Sequence, residues 1–134
     1  MKEITYQVGG DLEMADVIDL YVASTLGERR PVDDRERMTR MLANANLIVT
    51  AWDGSQLVGI ARSMSDFVYT TYLSDLAVRM SHQLRGIGTR LVEETVAACD
   101  PRCRLVLLSA PGAVAYYPKI GFTQHPSAWV RPGT

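Results

Sequence analysis

Leu73-Ser74-Asp75-Leu76-Ala77-Val78-Arg79-Met80-Ser81-His82-Gln83-Leu84-Arg85-Gly86-Ile87-Gly88-Thr89-Arg90-Leu91-Val92 is the stretch on which the reading of the chain turns. Its first part belongs to a strand from about Tyr69 to Val78, with Tyr72, Leu73, Leu76, Ala77 and Val78 as its apolar residues. Beyond the glycines the period becomes helical through Ile87, Leu91, Thr95 and Ala98, which predicts a helix over about Gly86 to Ala98. A strand passing through two close glycines into a helix presents unpaired backbone N–H groups at the positive end of the helix dipole, where phosphate is attracted. Without β-carbons, Gly86 and Gly88 let an anion approach the main chain and permit positive φ. Arg85 can add a charge-assisted contact.

Three other readings compete for this turn. A nucleotide P-loop requires Lys followed by Ser or Thr after its last glycine, and Gly88 is followed by Thr89-Arg90. A dinucleotide fingerprint requires a third glycine where this chain has Leu91, and a βαβ unit where the preceding strands read as an antiparallel meander. Two glycines can also serve only as a turn.

Outward from this segment, Ile4 to Val8 alternates as a strand and stops at Gly9-Gly10. A helix capped by Asp11 is predicted to Leu26, burying a stripe of Met14, Ile18, Tyr21, Val22 and Thr25, with Gly27 ending it. Glu28 to Val32 reads as a loop, and Asp33 or Asp34 caps a second helix with Met38, Met41 and Leu42 on one face. Leu47 to Trp52 and Leu57 to Ala61, joined by Asp53-Gly54, read as an antiparallel hairpin. Arg104 to Ser109 reads as a strand of the fully buried type, and Pro111 opens a short helix through Tyr116 and Tyr117 that Gly121-Phe122 closes. Ser127 to Val130, between prolines 126 and 132, suits a last edge strand.

Gln-x-x-Gly-x-Gly at Gln83 to Gly88, between a strand and a helix, resembles the acyl-CoA motif of the GNAT superfamily of N-acetyltransferases. Ala113-Val114-Ala115-Tyr116-Tyr117-Pro118-Lys119-Ile120-Gly121-Phe122 is similar to the same family's second motif, an alanine-rich helix with a tyrosine that ends in Lys-x-Gly-Phe. The element order agrees with that fold along nearly the whole chain. The resemblance implies an α+β fold: a mixed, mostly antiparallel central sheet with flanking helices, in which the strands before and after the glycine turn and its helix splay apart. It also implies acetyl-CoA as co-substrate, with no metal. The pantetheine arm would pair with the backbone of Leu76, Ala77 and Val78, and the turn Gln83, Leu84, Arg85, Gly86, Ile87, Gly88 and Thr89 would take the pyrophosphate. Many relatives place an asparagine after the fifth strand, where this chain has Ser109-Ala110-Pro111-Gly112, so no side-chain contact is assigned there. The family commonly ends in a two-strand hairpin, and here one strand fits after Phe122.

Acyl transfer to an amine needs a neutral nucleophile held at the thioester, donors for the developing oxyanion, and a proton for the departing thiolate. By resemblance Tyr117 is the general acid. A bulge near Leu76 or Ala77 would free a main-chain N–H for the oxyanion. Asp75, the one carboxylate in the cofactor strand, is a candidate base, although it could equally face solvent or receive the amine, and a water chain would also serve. The loop between the first two helices usually forms a wall of the acceptor site in this family, which makes Arg29 and Arg30 candidate substrate-binding residues and an anionic acceptor conceivable. Tyr72, like Tyr69 and Arg62, belongs to a strand that could line the same cavity. His82 and His125 read as structural or solvated. A small-molecule or peptide amine is the expected acceptor, attacking directly in a ternary complex. A CoA-binding sensor or regulatory module without turnover is the alternative.

Size and composition agree with one domain over 1–134. The balance of 14 basic against 15 acidic residues gives no footprint for nucleic acid or anionic membrane. The residues from Met1 to Gln7 lack a signal-like apolar run, so a cytoplasmic location is expected. Cys99 and Cys103 are expected to be reduced thiols, since no histidine lies near to complete a zinc site. A homodimer is common among relatives.

Overall fold

The structure, a computed structural model, describes residues 3–133; Met1, Lys2 and Thr134, the ends of the expected 1–134 domain, lie outside the described residues. Eight regular elements follow in order: β1 Thr5–Val8, α1 Met14–Ala23, α2 Arg35–Ala43, β2 Leu47–Asp53, β3 Gln56–Ser65, β4 Thr70–Val78, α3 Ile87–Ala97 and β5 Arg104–Val106. The strands form one five-stranded sheet in the order β1-β2-β3-β4-β5. The first four pair antiparallel, and β5 runs parallel to β4. This is the mixed, mostly antiparallel α+β sheet expected.

Each face of the sheet carries its own core. Val17, Leu20 and Tyr21 of α1 and Met38 and Leu42 of α2 pack on Leu57, Ile60 and Ala77 on one face. Ile87, Leu91 and Val92 of α3 pack on Val49, Ala51, Ala61 and Leu73 on the other. Helix α3 comes especially close at Gly59, where a β-carbon would meet Leu91 Cδ1 at 3.0 Å, Ile87 Cγ2 at 3.2 Å and Ala51 Cβ at 3.3 Å. The absent side chain therefore sets the depth at which α3 seats.

Several sequence expectations hold. Asp34 caps α2 by accepting a hydrogen bond from the Arg37 amide at 3.0 Å. The Asp53-Gly54 turn joins β2 to β3, with Gly54 at φ 61°. Gly121, at φ 98°, ends a 3-10 turn over Tyr117–Ile120. Cys99 and Cys103 are free thiols, each 3.4 Å from the buried Thr71 hydroxyl.

Others need correction. The first helix starts at Met14 behind Glu13, not at Asp11, and ends at Ala23. Ser24 then caps a 3-10 turn over Thr25–Arg29 that contains Gly27, so the glycine does not end the helix. Of the expected stripe, Tyr21 is buried and Met14 and Ile18 pack half-buried on the same core, joined by Val17 and Leu20, while Val22 and Thr25 are exposed. Strand β5 has three residues and pairs only at Thr70–Arg104, Leu105–Thr71 and Val106–Tyr72. Val106 and Leu108 are exposed, so β5 is a sheet edge and not the buried strand that its composition suggested. No strand forms at Ser127 to Val130, where Trp129 is exposed. In place of a helix from Pro111 there are two short 3-10 turns, at Pro111–Ala113 and Tyr117–Ile120.

The bulge in β4 lies at Ser74, earlier than expected. Arg62 pairs with Asp75 and Ser63 with Leu73, which leaves Ser74 as the extra residue. Leu73 packs on the α3 side, whereas Ala77 packs on the α1 side, although residues two apart in an unbroken strand share a face. The bulge makes that switch. It also lies two residues after Tyr72, the last β4 residue paired with β5, and the added local twist turns β4 away from β5. Among the described residues, no helix is long and apolar enough to cross a membrane.

Gly59→Ala should lower folding stability by about 1–3 kcal/mol, because three packed neighbours must yield to the new methyl. Urea denaturation checks this, and an unchanged midpoint would mean that α3 is not held at this depth.

Candidate functional site

The splay of β4 from β5 opens a cleft. Its floor is Leu73, Ser74, Leu76, Ala77 and Val78; Leu107, Leu108, Ala110, Ala113 and Tyr117 form one wall, and Ser24 to Leu26 with Arg29 and Arg30 form the other. Beyond Tyr72 the β4 backbone groups facing β5 have no strand partner among the described residues. An extended ligand arm can therefore lie along Leu76 to Val78 as a strand would, bonding at Leu76 and Val78, the residues whose backbone groups alternate away from β3. At the far end Gln83 also lines the cleft, with its side-chain amide donating to the Val78 carbonyl at 3.1 Å.

Leaving β4, the chain makes a 3-10 turn over Met80–His82 and then the glycine turn. Leu84 sits at φ 64° and Gly86 at φ 78°, the latter as the residue before α3. Leu84 is exposed and apolar in the left-handed region, a local cost of about 1–2 kcal/mol for a residue other than glycine. This backbone turns the first amides of α3 outward, and the first helical turn has no intrahelical acceptors for them. His82 fixes the flank. Its Nδ1 is 2.7 Å from the Ser81 hydroxyl and its Nε2 is 2.9 Å from Asp53, which ties the turn to the β2–β3 hairpin. His125 is exposed and accepts from the Ser127 amide.

Gly88 serves a further purpose. A β-carbon there would lie 3.1 Å from Tyr116 Oη, and that hydroxyl is 3.0 Å from Thr89 Oγ1, so the glycine makes room for a phenol over the first turn of α3. Tyr117 packs edge-on against Tyr116 and Phe122 and reaches the cleft. Burial and the neighbouring Tyr116 raise the Tyr117 phenol above its ordinary value, and the positive charge of Arg29 opposes them.

Beneath the wall formed by Ser24 to Leu26, Arg29 and Arg30 lies a buried polar cluster. Asp75 is 1% exposed and accepts from Tyr21 Oη at 2.7 Å, Arg30 Nε at 2.7 Å and Arg62 Nε at 2.5 Å. Both arginines also hold the bulge: Arg30 donates to the Ser74 carbonyl at 2.9 Å, and Arg62 to the Ser74 hydroxyl at 3.0 Å. Arg62 reaches α2 as well, donating to the Met41 carbonyl at 3.1 Å. Burial alone would raise the Asp75 carboxyl, but hydrogen bonds from Arg62 and Tyr21, the Arg62 charge and the Arg30 bond hold it below the ordinary carboxylate range. Burial, and then the charge of Asp75, push the Tyr21 phenol far up. A carboxylate so placed is a fixed anion, and these surroundings oppose its taking a proton.

The structure thus brings Leu76, Ala77, Val78, Gln83, Arg29, Arg30 and Tyr117 to one cleft. It puts Asp75 below it, and it leaves Tyr72 outside the lining, exposed where β5 pairs. Tyr69 is exposed and Arg62 buried. Sequence reading missed Tyr21, hidden within an apolar helical stripe, and Tyr116, beside the tyrosine it singled out. The adjacent polar pair Ser74-Asp75 inside an apolar strand was a legible sign of the bulge.

Asp75→Asn should destabilise the fold by about 3–5 kcal/mol at neutral pH, because it leaves two buried or half-buried guanidinium groups without their anion. The folded-state pKa is depressed, so this contribution is complete above the unfolded value of about 4 and is lost as pH falls through the folded value. Denaturation of both proteins at neutral and acid pH tests this, with the gap narrowing in acid.

Comparison with known proteins agrees with this geometry. The family model described as acetyltransferase (GNAT) domain matches residues 25–133. A curated relative, the "Uncharacterized N-acetyltransferase ycf52-like" of Prochlorococcus marinus, is 29% identical over 104 residues, covering 73% of this chain and 56% of its own length. The chain spans about half the length of the curated relatives it matches. Among solved structures, the GNAT family protein SP0256 of Streptococcus pneumoniae superposes with a TM-score of 0.77 at 24% identity, over 98% of this chain and 100% of that one. The aminoglycoside N-acetyltransferase AAC(6')-Iy, solved in complex with CoA, superposes with a TM-score of 0.76 at 14% identity, over 99% and 96%. At these identities the two structures speak for the fold, and the family match covers most of the sequence. The chain belongs to the GNAT acetyltransferase family.

Proposed function

We propose that the chain transfers an acetyl group from acetyl-CoA to a primary amine of a small molecule or peptide, by direct attack in a ternary complex. The observation that carries this reading is the open edge of β4 beyond Tyr72, with the glycine turn at one end and Tyr117 on the facing wall.

Leu76, Ala77 and Val78 align the pantetheine arm, with the backbone of Leu76 and Val78 facing it while Ala77 is bonded back to β3. The amides from Gly86 to Thr89 take the pyrophosphate, aided by the dipole of α3 and by Arg85. A main-chain N–H of the same β4 edge meets the developing oxyanion, a task that needs no particular side chain. Tyr117 gives its proton to the departing CoA sulfur. Its raised pKa keeps it protonated at neutral pH, the state an acid must start from. The amine loses its proton to water, because Asp75 is committed to Tyr21, Arg30 and Arg62 and serves to fix the acceptor wall. A thioester is already activated, so no acyl-enzyme is required. In this reading 1–134 forms one domain and works in the cytoplasm.

Tyr117→Phe should lower kcat by about 100-fold or more while leaving acetyl-CoA affinity near the wild-type value. Thiol release over a panel of amines, with calorimetry for acetyl-CoA, measures both. Undiminished turnover would remove Tyr117 from the chemistry, and an isolable acyl-enzyme would contradict direct attack. Tight acetyl-CoA binding without amine-dependent thiol release would favour a sensor instead.

A further inference from the structure

The acceptor end of the cleft has an unbalanced charge. Of the side chains lining it, the charged ones are Arg29 and Arg30, both cationic. The carboxylate nearest in the network, Asp75, lies below the floor with both oxygens already engaged. Three guanidinium groups, those of Arg29, Arg30 and Arg62, stand against the one carboxylate of Asp75, which leaves an excess of two positive charges. Glu28, on the same 3-10 turn, is exposed and does not line the cleft.

The two lining arginines differ in what they have left to offer. Arg30 is held at all three nitrogens, by Asp75, the Arg29 carbonyl and the Ser74 carbonyl. It acts as a brace, and its 2.8 Å bond to the Arg29 carbonyl fixes the backbone from which Arg29 projects. The Arg29 side chain makes no hydrogen bond or ion pair among the described residues, yet its charge is felt at the Tyr117 phenol across the cleft. A guanidinium on a braced backbone, lining the same cleft as the proposed acid and free to form a two-point contact, matches a carboxylate or a phosphate, and the proposed site of the cofactor's pyrophosphate is the glycine turn at the other end.

We propose that the acceptor is an amine that also carries a carboxylate, an amino-acid-like molecule, and that Arg29 is the residue that binds this carboxylate. The inference rests on the acetyltransferase reading. Polycationic amines are disfavoured by the same charge excess, since like charges brought together in a partly desolvated cleft repel. The same arginine that holds the carboxylate thereby sets the amine toward the β4 edge and Tyr117.

The test is thiol release from acetyl-CoA with matched pairs, namely free amino acids and dipeptides against their carboxamides, plus one aminoglycoside as a polycation. Wild type, Arg29→Ala and Arg29→Lys are compared, with acetyl-CoA affinity measured by calorimetry for each. At least one carboxylate should exceed its amide by about tenfold or more in kcat/KM. Arg29→Ala should close that gap through KM with acetyl-CoA affinity retained, and Arg29→Lys should restore part of it. An amide or the aminoglycoside matching the best carboxylate overturns the inference while leaving the acetyltransferase reading intact. Loss of acetyl-CoA affinity in Arg29→Ala overturns it too, by assigning the arginine to a phosphate. Absence of thiol release from the whole panel overturns both.

Discussion

A single buried carboxylate organises one side of the cleft, where α1, β3 and β4 meet. Asp75 sits where α1, the turn after it, β3 and β4 converge, and it takes a hydrogen bond from the first three in turn: Tyr21, Arg30 and Arg62. Burying an ion costs several kcal/mol unless its bonds are fully made, so this anion is tolerable only with all its donors present. The dependence runs both ways. Arg62 is itself buried, and the same two arginines grip Ser74, the extra residue of the β4 bulge. That bulge turns Asp75 toward Tyr21 and starts the divergence of β4 from β5. The charge cluster and the open cleft are therefore two consequences of one backbone irregularity.

The other side depends on close approach. Gly59 lets α3 settle against β3, Gly86 supplies the left-handed residue before the helix, and Gly88 admits the Tyr116 phenol against its first turn. At Gly59 and Gly88 a β-carbon is absent where neighbouring side chains come near, whereas at Gly86, with nothing within 4 Å, the need is the positive φ. The result joins the two sequence motifs physically, since Tyr116 of the second touches Thr89 of the first, and Tyr117 is carried to the cleft wall beside it.

Legibility in the sequence followed the range of the forces involved. The Asp53-Gly54 hairpin, the Asp34 cap and the glycine turn are set by neighbours within a few residues, and all three stand where local chemistry puts them. Thr25 does not extend the stripe of α1 because Ser24 diverts the chain into a 3-10 turn, where Leu26 and not Thr25 is buried. Arg104 to Ser109 has the composition of a buried strand, but burial needs a covering neighbour, and Ser127 to Val130 does not pair with it. The arginines 29 and 30 were found as a pair, while their division into one brace and one outward-facing cation arises from contacts with residues 74 and 75, far away in sequence.

The freed edge of β4 and the first turn of α3 are proposed to hold acetyl-CoA together. Titrating acetyl-CoA into isotope-labelled protein and following backbone amide resonances tests this most directly. Large shifts are expected at Leu76 to Val78 and at Gly86 to Thr89, saturating together at one concentration. Shifts confined to other elements, or two groups saturating independently, would contradict the claim.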